Sequence, residues 1–211
     1  MILFVIMAII FAVYIYLAIK KGKKREDIIS VYWGVPGSGK STFAAYLAKK
    51  DLKHNKKVWS NVPITGTMKL EPREDLGRNM ILDGRIIIDE ASVEYNSRAY
   101  KTMPQEAIKF FKYHRHYQTA IDVFSQSWDD MDVTIRRLAQ KMYVVKKSWL
   151  PWFIVRRTVR KRVGIDENTH QIIDEYSWMP FSRKYIFSPV LWKLFNTLSR
   201  DDLPEKEWEK W

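Results

Sequence analysis

The sequence contains no cysteine among its 211 residues. This absence excludes disulfide bonds and thiolate zinc sites, and it fits a reducing, cytosolic environment. No internal repeat or low-complexity segment appears either. Because 46% of the residues are apolar and the length suits one ordinary domain plus an appendage, we expect a folded chain rather than a disordered one.

Acidic residues are missing from the first 25 positions, which carry five lysines and arginines. The whole chain has a formal net charge of +12, and residues 26–211 retain 31 basic against 24 acidic residues. An excess of this size favours an anionic partner. Nucleic acid, acidic lipid and nucleotide all remain open on charge alone.

An apolar run without any charge opens the chain. Residues 2–19 read ILFVIMAIIFAVYIYLAI, and a helix of this length would span about 27 Å, close to the hydrocarbon thickness of a bilayer. A buried core helix is the alternative, whereas a cleaved signal would carry its basic residues before the apolar run. The basic cluster at 20–25 is expected to stay in the cytoplasm. We therefore predict a transmembrane helix at 1–20, with the N-terminus outside, and a basic juxtamembrane linker at 21–27.

A glycine-rich segment follows a short apolar run. Residues 28–33 read IISVYW, residues 34–41 read GVPGSGKS, and the helix-favouring TFAAYLAKK comes next. Strand, glycine loop and helix in this order predict a Walker A site. The glycines let backbone N–H groups turn inward around an anion, and the helix N-terminus adds its positive dipole end. A plain glycine turn between a strand and a helix is the alternative.

The residue types of this loop predict individual roles. As a catalytic residue, Lys40 is expected to reach the β- and γ-phosphates of ATP, and the Ser41 hydroxyl is expected to ligate Mg²⁺. Thr42 is expected to contact the α-phosphate. The predicted nucleotide-binding residues are Gly34, Pro36, Gly37, Ser38, Gly39, Lys40, Ser41 and Thr42.

A second motif ends in two acids. Residues 86–90 read IIIDE, a run typical of a buried parallel strand whose carboxyl end opens to ligand. Asp89 is expected to hold the Mg²⁺ shell, and Glu90 to polarise an attacking water as a catalytic residue. This Walker B pattern favours hydrolysis over phosphate transfer to a small acceptor. The alternative for Glu90 is a helix N-terminal carboxylate that interacts with the dipole.

Strand and helix patterns continue to alternate up to residue 147. The segment from about Thr65 to Gly84 is rich in turn residues and predicts little regular structure. Gln126 is expected to sense the γ-phosphate as a catalytic residue, or only to cap a turn. Together these patterns predict an α/β domain at 28–147 with a mainly parallel sheet of the P-loop NTPase kind. Its further strands are predicted at 58–62, 119–125 and 141–147, and its helices from Pro104 to about Tyr117 and at 129–140.

Three segments together resemble the zonular occludens toxin (Zot) family, whose phage members include the gene I assembly proteins of filamentous bacteriophages. They are GVPGSGKS at 34–41, IIIDEAS at 86–92 and YHRHYQTAIDVFSQSWDDMDVTIRRLAQ at 113–140. The likeness extends over residues 28–145 and more weakly to 199. It implies an additional-strand P-loop ATPase core of the kind shared with DNA-pumping and conjugation motors. It also implies a role in assembling and extruding virions through the host inner membrane.

The resemblance has one departure and one further implication. In familiar members the transmembrane helix follows the ATPase domain and leads to an external part with the toxin activity, so that activity is not expected here. Motors of this type work as homo-oligomeric rings in which an arginine of one subunit completes the site of the next. The arginines considered for this role are Arg98, Arg115, Arg136 and Arg137.

The C-terminal part is expected to form a basic, aromatic and β-rich extension at 148–200, followed by a loosely ordered tail at 201–211. Residues 149–163 read WLPWFIVRRTVRKRV. Basic residues interleaved with aromatic ones suit a hairpin that grips single-stranded DNA, a strand that lies on anionic lipid or a protein partner, or a solvated strand face.

These patterns predict a single-pass protein of the host cytoplasmic membrane with a cytoplasmic ATPase domain. ATP and Mg²⁺ are its expected ligands, and phage coat or assembly proteins its expected partners. The leading function is an ATP-hydrolysing motor for filamentous phage assembly and export. The alternatives are a DNA translocase or conjugative coupling-type pump, and a nucleotide-dependent scaffold that binds without turnover.

Overall fold

The computed structural model describes residues 7, 9–11, 13–14, 27–95, 103–165 and 172–195. The predicted transmembrane helix and linker lie mostly outside these ranges, although residues 7, 9–11 and 13–14 are helical. Within the ranges given, no helix combines the length and the apolar character that a bilayer crossing requires. The predicted tail at 201–211 also lies outside the described residues.

One sheet forms the centre of the molecule, and helices cover its two faces. Its strands are β1 (Ile29–Trp33), β2 (Lys57–Ser60), β3 (Met68–Lys69), β4 (Gly84–Ile88), β5 (Thr119–Ser125), β6 (Lys141–Lys147), β7 (Phe153–Ile165), β8 (Ile172–Trp178) and β9 (Lys184–Phe187). The helices are α1 (Lys40–Leu52), α2 (Pro72–Asp75), α3 (Ala91–Glu94), α4 (Gln105–Tyr113), α5 (Val133–Leu138) and α6 (Pro189–Trp192).

The strands follow the order β3-β2-β4-β5-β1-β6-β7-β8, and β9 pairs with β7. All pairs from β3 to β6 are parallel, whereas β7 is antiparallel to β6, β8 and β9. The mainly parallel α/β sheet is therefore confirmed. Strand β5 lies between β1 and β4, which is the strand order that the term additional-strand describes.

Apolar runs explain why the central strands are buried on both faces. All seven residues of β5 are buried, as are the last three of β4. On one face, Ile86 and Ile88 pack in a core that includes Phe111 of α4. On the other face, Ile87 packs in a second core with Phe43 of α1.

Two predicted helices are shorter in the structure than expected. Helix α4 ends at Tyr113 instead of continuing to Tyr117, because a tight turn follows in which the Thr119 N–H donates to the carbonyl of His114. Helix α5 begins at Val133 instead of residue 129, because the Asp132 side chain accepts a hydrogen bond from the Thr134 N–H at 2.7 Å and caps the helix there.

The segment between β2 and β4 has little regular structure, as predicted. It contains the two-residue strand β3 and the single turn α2. Beyond β6, the strands β7, β8 and β9 continue the same sheet as antiparallel neighbours. The described part of the C-terminal region is therefore attached to the core through hydrogen bonds between β6 and β7.

Candidate nucleotide-binding site

The loop between β1 and α1 has a backbone that only glycine adopts readily. Gly37 and Gly39 have φ values of 71° and 96°, in the left-handed region. A Cβ atom on Gly34 would collide with the carbonyl oxygen of Val145 on β6. These conformations keep the loop close to the sheet edge and allow its N–H groups to converge, as an anion nest requires.

Polar groups at the start of α1 fit a phosphate. Gly39 occupies the N-cap without a side-chain cap, and the first turn holds no acid. The N–H groups at the helix N-terminus are therefore available to bind an anion. The Lys40 ammonium donates to the carbonyls of Gly34 at 2.9 Å and Val35 at 3.4 Å, and this residue is only 6% exposed. The buried Ser38 hydroxyl has no hydrogen-bond partner among the described residues.

The two predicted metal ligands meet across the sheet edge. The Ser41 hydroxyl at the start of α1 donates to Oδ2 of Asp89, directly after β4, at 2.9 Å. Burial raises the pKa of Asp89, and the hydrogen bond from Ser41 opposes that rise. A hydroxyl beside one carboxylate is the protein half of a typical Mg²⁺ site in which substrate phosphates and water supply the other ligands. The described residues contain no metal site built from three or more histidines and carboxylates.

Asn61, immediately beyond the end of β2, holds the backbone of Asp89 in place. Its side-chain amide donates to the Asp89 carbonyl at 2.9 Å and accepts from the Asp89 N–H at 2.7 Å. No role was predicted for this residue from the sequence, although it falls within the predicted strand 58–62. A polar side chain at the carboxyl end of a strand was the available signal, but its role depends on β2 lying beside β4.

Glu90 and Gln126 are in contact. The Gln126 Nε2 lies 3.2 Å from each carboxylate oxygen of Glu90, so the amide at the tip of β5 reaches the second acid of the motif. Glu90 stands at the N-cap of α3 but makes no side-chain capping bond there. Its backbone has φ 49° and ψ 48°, a left-handed conformation that is uncommon for glutamate.

The remaining predicted site residues lie on or near the loop. Pro36 and Gly37 are on its exposed outer side, and Thr42 is buried in the first turn of α1. The structure therefore brings Lys40 and Ser41 together with Asp89, and Glu90 together with Gln126.

The four arginines named for a role between subunits have different surroundings. Arg98 lies outside the described residues, whereas Arg115 and Arg137 are exposed. Arg136 is half-buried, with its guanidinium 3.7 Å from a carboxylate oxygen of Asp129.

The described side chains of the basic stretch at 149–163, which end at residue 161, do not form one cationic strip. It contributes the β6–β7 turn and most of β7, and consecutive strand residues point to opposite faces. The Arg156 guanidinium lies 4.1 Å from the centre of the Tyr143 ring, on the α1 side of the sheet. On the opposite face, Arg157 lies 5.6 Å from the centre of the Trp178 ring.

The strand order, the glycine loop and the contact between Ser41 and Asp89 are those of a P-loop NTPase fold. Within that class, the family model named zonular occludens toxin (Zot) matches residues 69–150. The resemblance predicted from the motifs is thereby confirmed.

Solved structures that are similar to this chain include the following two. The N-terminal domain of zonular occludens toxin from Neisseria meningitidis superimposes with a TM-score of 0.52 at 18% identity, over 80% of this chain and 98% of that one. The genome packaging NTPase B204 of Sulfolobus turreted icosahedral virus 2, in complex with AMP, gives a TM-score of 0.46 at 12% identity, over 72% of this chain and 98% of that one. Among curated proteins, none matches this chain.

Proposed function

We propose that this chain is a magnesium-dependent ATPase that is anchored in the host inner membrane and drives the assembly and export of filamentous phage. The observation that carries the ATPase proposal is the hydrogen bond between Ser41 and Asp89, beside a glycine loop that encloses the ammonium of Lys40. The hydroxyl and the carboxylate that are expected to ligate Mg²⁺ then lie beside the ammonium that is expected to bind the phosphates. Hydrolysis of a nucleoside triphosphate requires this arrangement.

Each residue has a separate task in this proposal. The loop N–H groups, the Ser38 hydroxyl and the Lys40 ammonium would bind the phosphates of ATP. Ser41 and Asp89 would hold Mg²⁺, which neutralises negative charge on the β- and γ-phosphates when it is bound. Glu90 would accept the proton of the attacking water, and Gln126 would orient the Glu90 carboxylate through the contact already present.

Replacing Glu90 by Gln tests hydrolysis directly. We expect the Glu90→Gln variant to bind ATP as the parent chain does and to lose turnover by roughly 100-fold or more, because general-base catalysis contributes about 10²–10⁴. ATP affinity and phosphate release are the two measurements. Glu106→Gln, which removes an exposed carboxylate at the start of α4, should leave both unchanged. Unchanged turnover in Glu90→Gln would favour the scaffold that binds without hydrolysis.

The phage export role is supported by the resemblance to the Zot family and by the predicted N-terminal anchor. In this role the chain would act as a homo-oligomeric ring with phage coat or assembly proteins as its partners. The genes beside this one provide a test. A small hydrophobic coat protein and a replication initiator are expected there, and their absence would contradict the proposal.

A DNA pump is the second proposed function, and it would use the same nucleotide site. The aromatic and basic surface on β6 and β8 favours it. Stimulation of ATP turnover by naked DNA would support the pump. Stimulation by a coat or packaging-signal protein would support virion assembly.

A further inference from the structure

A recess with a volume of about 860 Å³ combines aromatic rings and cations beside the nucleotide loop. It lies on the sheet face opposite α1, between the nucleotide loop, the segment after β5 and strand β8. We call it the aromatic groove. Its aromatic and basic lining residues are Trp33, Trp128, Tyr176, Trp178, Lys146 and Lys147.

Three of the four rings in the groove form a connected row. Trp33 lies 5.1 Å from Trp128, and Trp128 lies 5.4 Å from Tyr176 in an edge-on arrangement, both measured between ring centres. Tyr176 and Trp178 remain 41% and 50% exposed. Rings that served only to fill a core would be covered, so these two rings retain exposed surface for stacking with a flat ligand.

Cations accompany the exposed rings. The Lys146 ammonium and the Arg157 guanidinium lie 5.4 Å and 5.6 Å from the centre of the Trp178 ring. Lys147 is exposed too, but it is the next residue on β6 and its side chain points to the opposite face of the sheet. The carboxylate in the lining belongs to Asp129, which has Arg136 as an ionic neighbour. The balance of charge at the groove therefore favours an anion.

We infer that the aromatic groove binds single-stranded nucleic acid, with bases stacked on Tyr176 and Trp178 and phosphates held by Lys146. Flat exposed rings next to cations are the recognition elements of single-strand binding, since unpaired bases expose the faces that a duplex hides. The groove borders the phosphate site and shares residues 34 and 36–38 of the nucleotide loop with it, but the inference does not rest on ATP hydrolysis.

Two other ligands fit the groove less well. The adenine of a bound ATP is disfavoured because the lining, although it contains residues 34–38 of the nucleotide loop, includes neither Lys40 nor Ser41. A bilayer is disfavoured because the rings line a recess. Among the described residues, the two most exposed tryptophans, Trp149 at 83% and Trp152 at 62%, lie on the β6–β7 turn instead.

The position of the groove also suggests how its occupant would affect the nucleotide site. Gln126 lines the groove and contacts Glu90, and Trp128 follows two residues later. A strand of nucleic acid that displaced Trp128 would therefore act on the segment that holds Gln126.

Binding of a fluorescent oligothymidine to the full-length chain in detergent, without nucleotide and at low salt, tests the inference. We expect the parent chain to bind, and the double variant Tyr176→Ala/Trp178→Ala to bind roughly tenfold more weakly or worse, because stacking on each ring contributes to affinity. Lys146→Gln should also weaken binding. It should lower the salt dependence as well, by about 0.7 in log–log slope for each phosphate that a lysine no longer neutralises.

Controls separate this groove from general attraction to a basic chain. Trp192→Ala on α6 and Lys53→Gln after α1 remove an exposed ring and an exposed charge elsewhere, and both should bind oligothymidine as the parent chain does. Retained ATP affinity in the groove variants would show that they fold.

Three results would overturn the inference. The first is that the parent chain does not bind oligothymidine at low salt. The second is that Tyr176→Ala/Trp178→Ala binds oligothymidine as tightly as the parent chain. The third is that this variant loses binding to phosphatidylserine vesicles but still binds oligothymidine. A chain that binds oligothymidine through the groove but never hydrolyses ATP would contradict the proposed function alone.

Discussion

Asn61 shows how much of the site depends on one uncharged side chain. Its amide pairs with both the N–H and the carbonyl of Asp89, so the metal carboxylate is positioned from the neighbouring strand. Buried backbone groups that lose such partners cost free energy because water does not replace them. The position of Asp89 and the stability of the sheet edge are therefore linked.

Replacing Asn61 by Ala should weaken both properties. We expect the free energy of unfolding to fall by about 1–3 kcal/mol, because two polar groups of a buried residue lose their partner. The Mg²⁺ concentration needed for half-maximal ATP turnover should rise as Asp89 becomes less well positioned. Asn79→Ala, at an exposed position, serves as the control and should change neither. An Asn61→Ala variant with unaltered Mg²⁺ dependence would contradict the positioning role.

At the scale of elements, a buried ionic cluster fastens α1 to the sheet. Arg85 of β4 contacts Asp51 of α1 at 2.7 Å and also pairs with Asp122 of β5. Burial raises the pKa of Asp122, while Arg85 opposes that rise. For Arg85, burial acts to lower the pKa, but the two aspartates outweigh it and raise the pKa above its ordinary value. One guanidinium therefore compensates two buried carboxylates.

Replacing Arg85 by Met should destabilise the fold by about 3–5 kcal/mol, because Asp51 and Asp122 would remain buried without their cation. Without Arg85 the pKa of Asp122 should rise further above its unfolded value. The protonated form is then favoured in the folded state, so the deficit relative to the parent chain should shrink as pH falls toward that raised pKa. Thermal unfolding of both chains at several pH values measures this difference.

Arg78→Met is the matched control, because Arg78 pairs with Glu74 on the surface and should change stability by about 0.5 kcal/mol or less. An Arg85→Met chain as stable as this control, or one whose deficit grows at low pH, would contradict the role of the cluster.

Local patterns explain which elements were predicted correctly. The apolar runs before the glycine loop and before Asp89 specify buried strands by themselves, and the following polar residues mark where those strands end. Helix α4 was predicted too long because the turn after Tyr113 depends on a contact between His114 and Thr119. Asn61 and Arg85 were missed for another reason. Their partners are 28 and at least 34 residues away in sequence, and only the order of strands brings them together.

At the scale of the whole molecule, the proposed anchor lies ahead of β1 in the chain. A helix formed by residues 2–19 would be attached to the domain through the basic linker at 21–27, only a few residues before the strand that leads into the nucleotide loop. The ATPase domain would then be held close to the membrane surface. Anionic lipid near the basic linker would add to this attraction.

Washing membranes with carbonate tests the anchor. The full-length chain should remain with the membranes, because an apolar helix of about 18 residues is stable in the hydrocarbon core. A truncated chain that begins at Asp27 should be released. Western blotting of pellet and supernatant distinguishes the two, and release of both chains would rule out the anchor.

The left-handed backbone of Glu90 bears on the thermal stability of this protein. A left-handed conformation costs a side-chain-bearing residue about 1 kcal/mol, and glycine would avoid most of that penalty. A glycine at this position would also abolish the carboxylate that faces Gln126. Selection for thermal resistance alone would thus tend to discard the residue on which we expect turnover to depend, so durability and activity oppose each other at a single site.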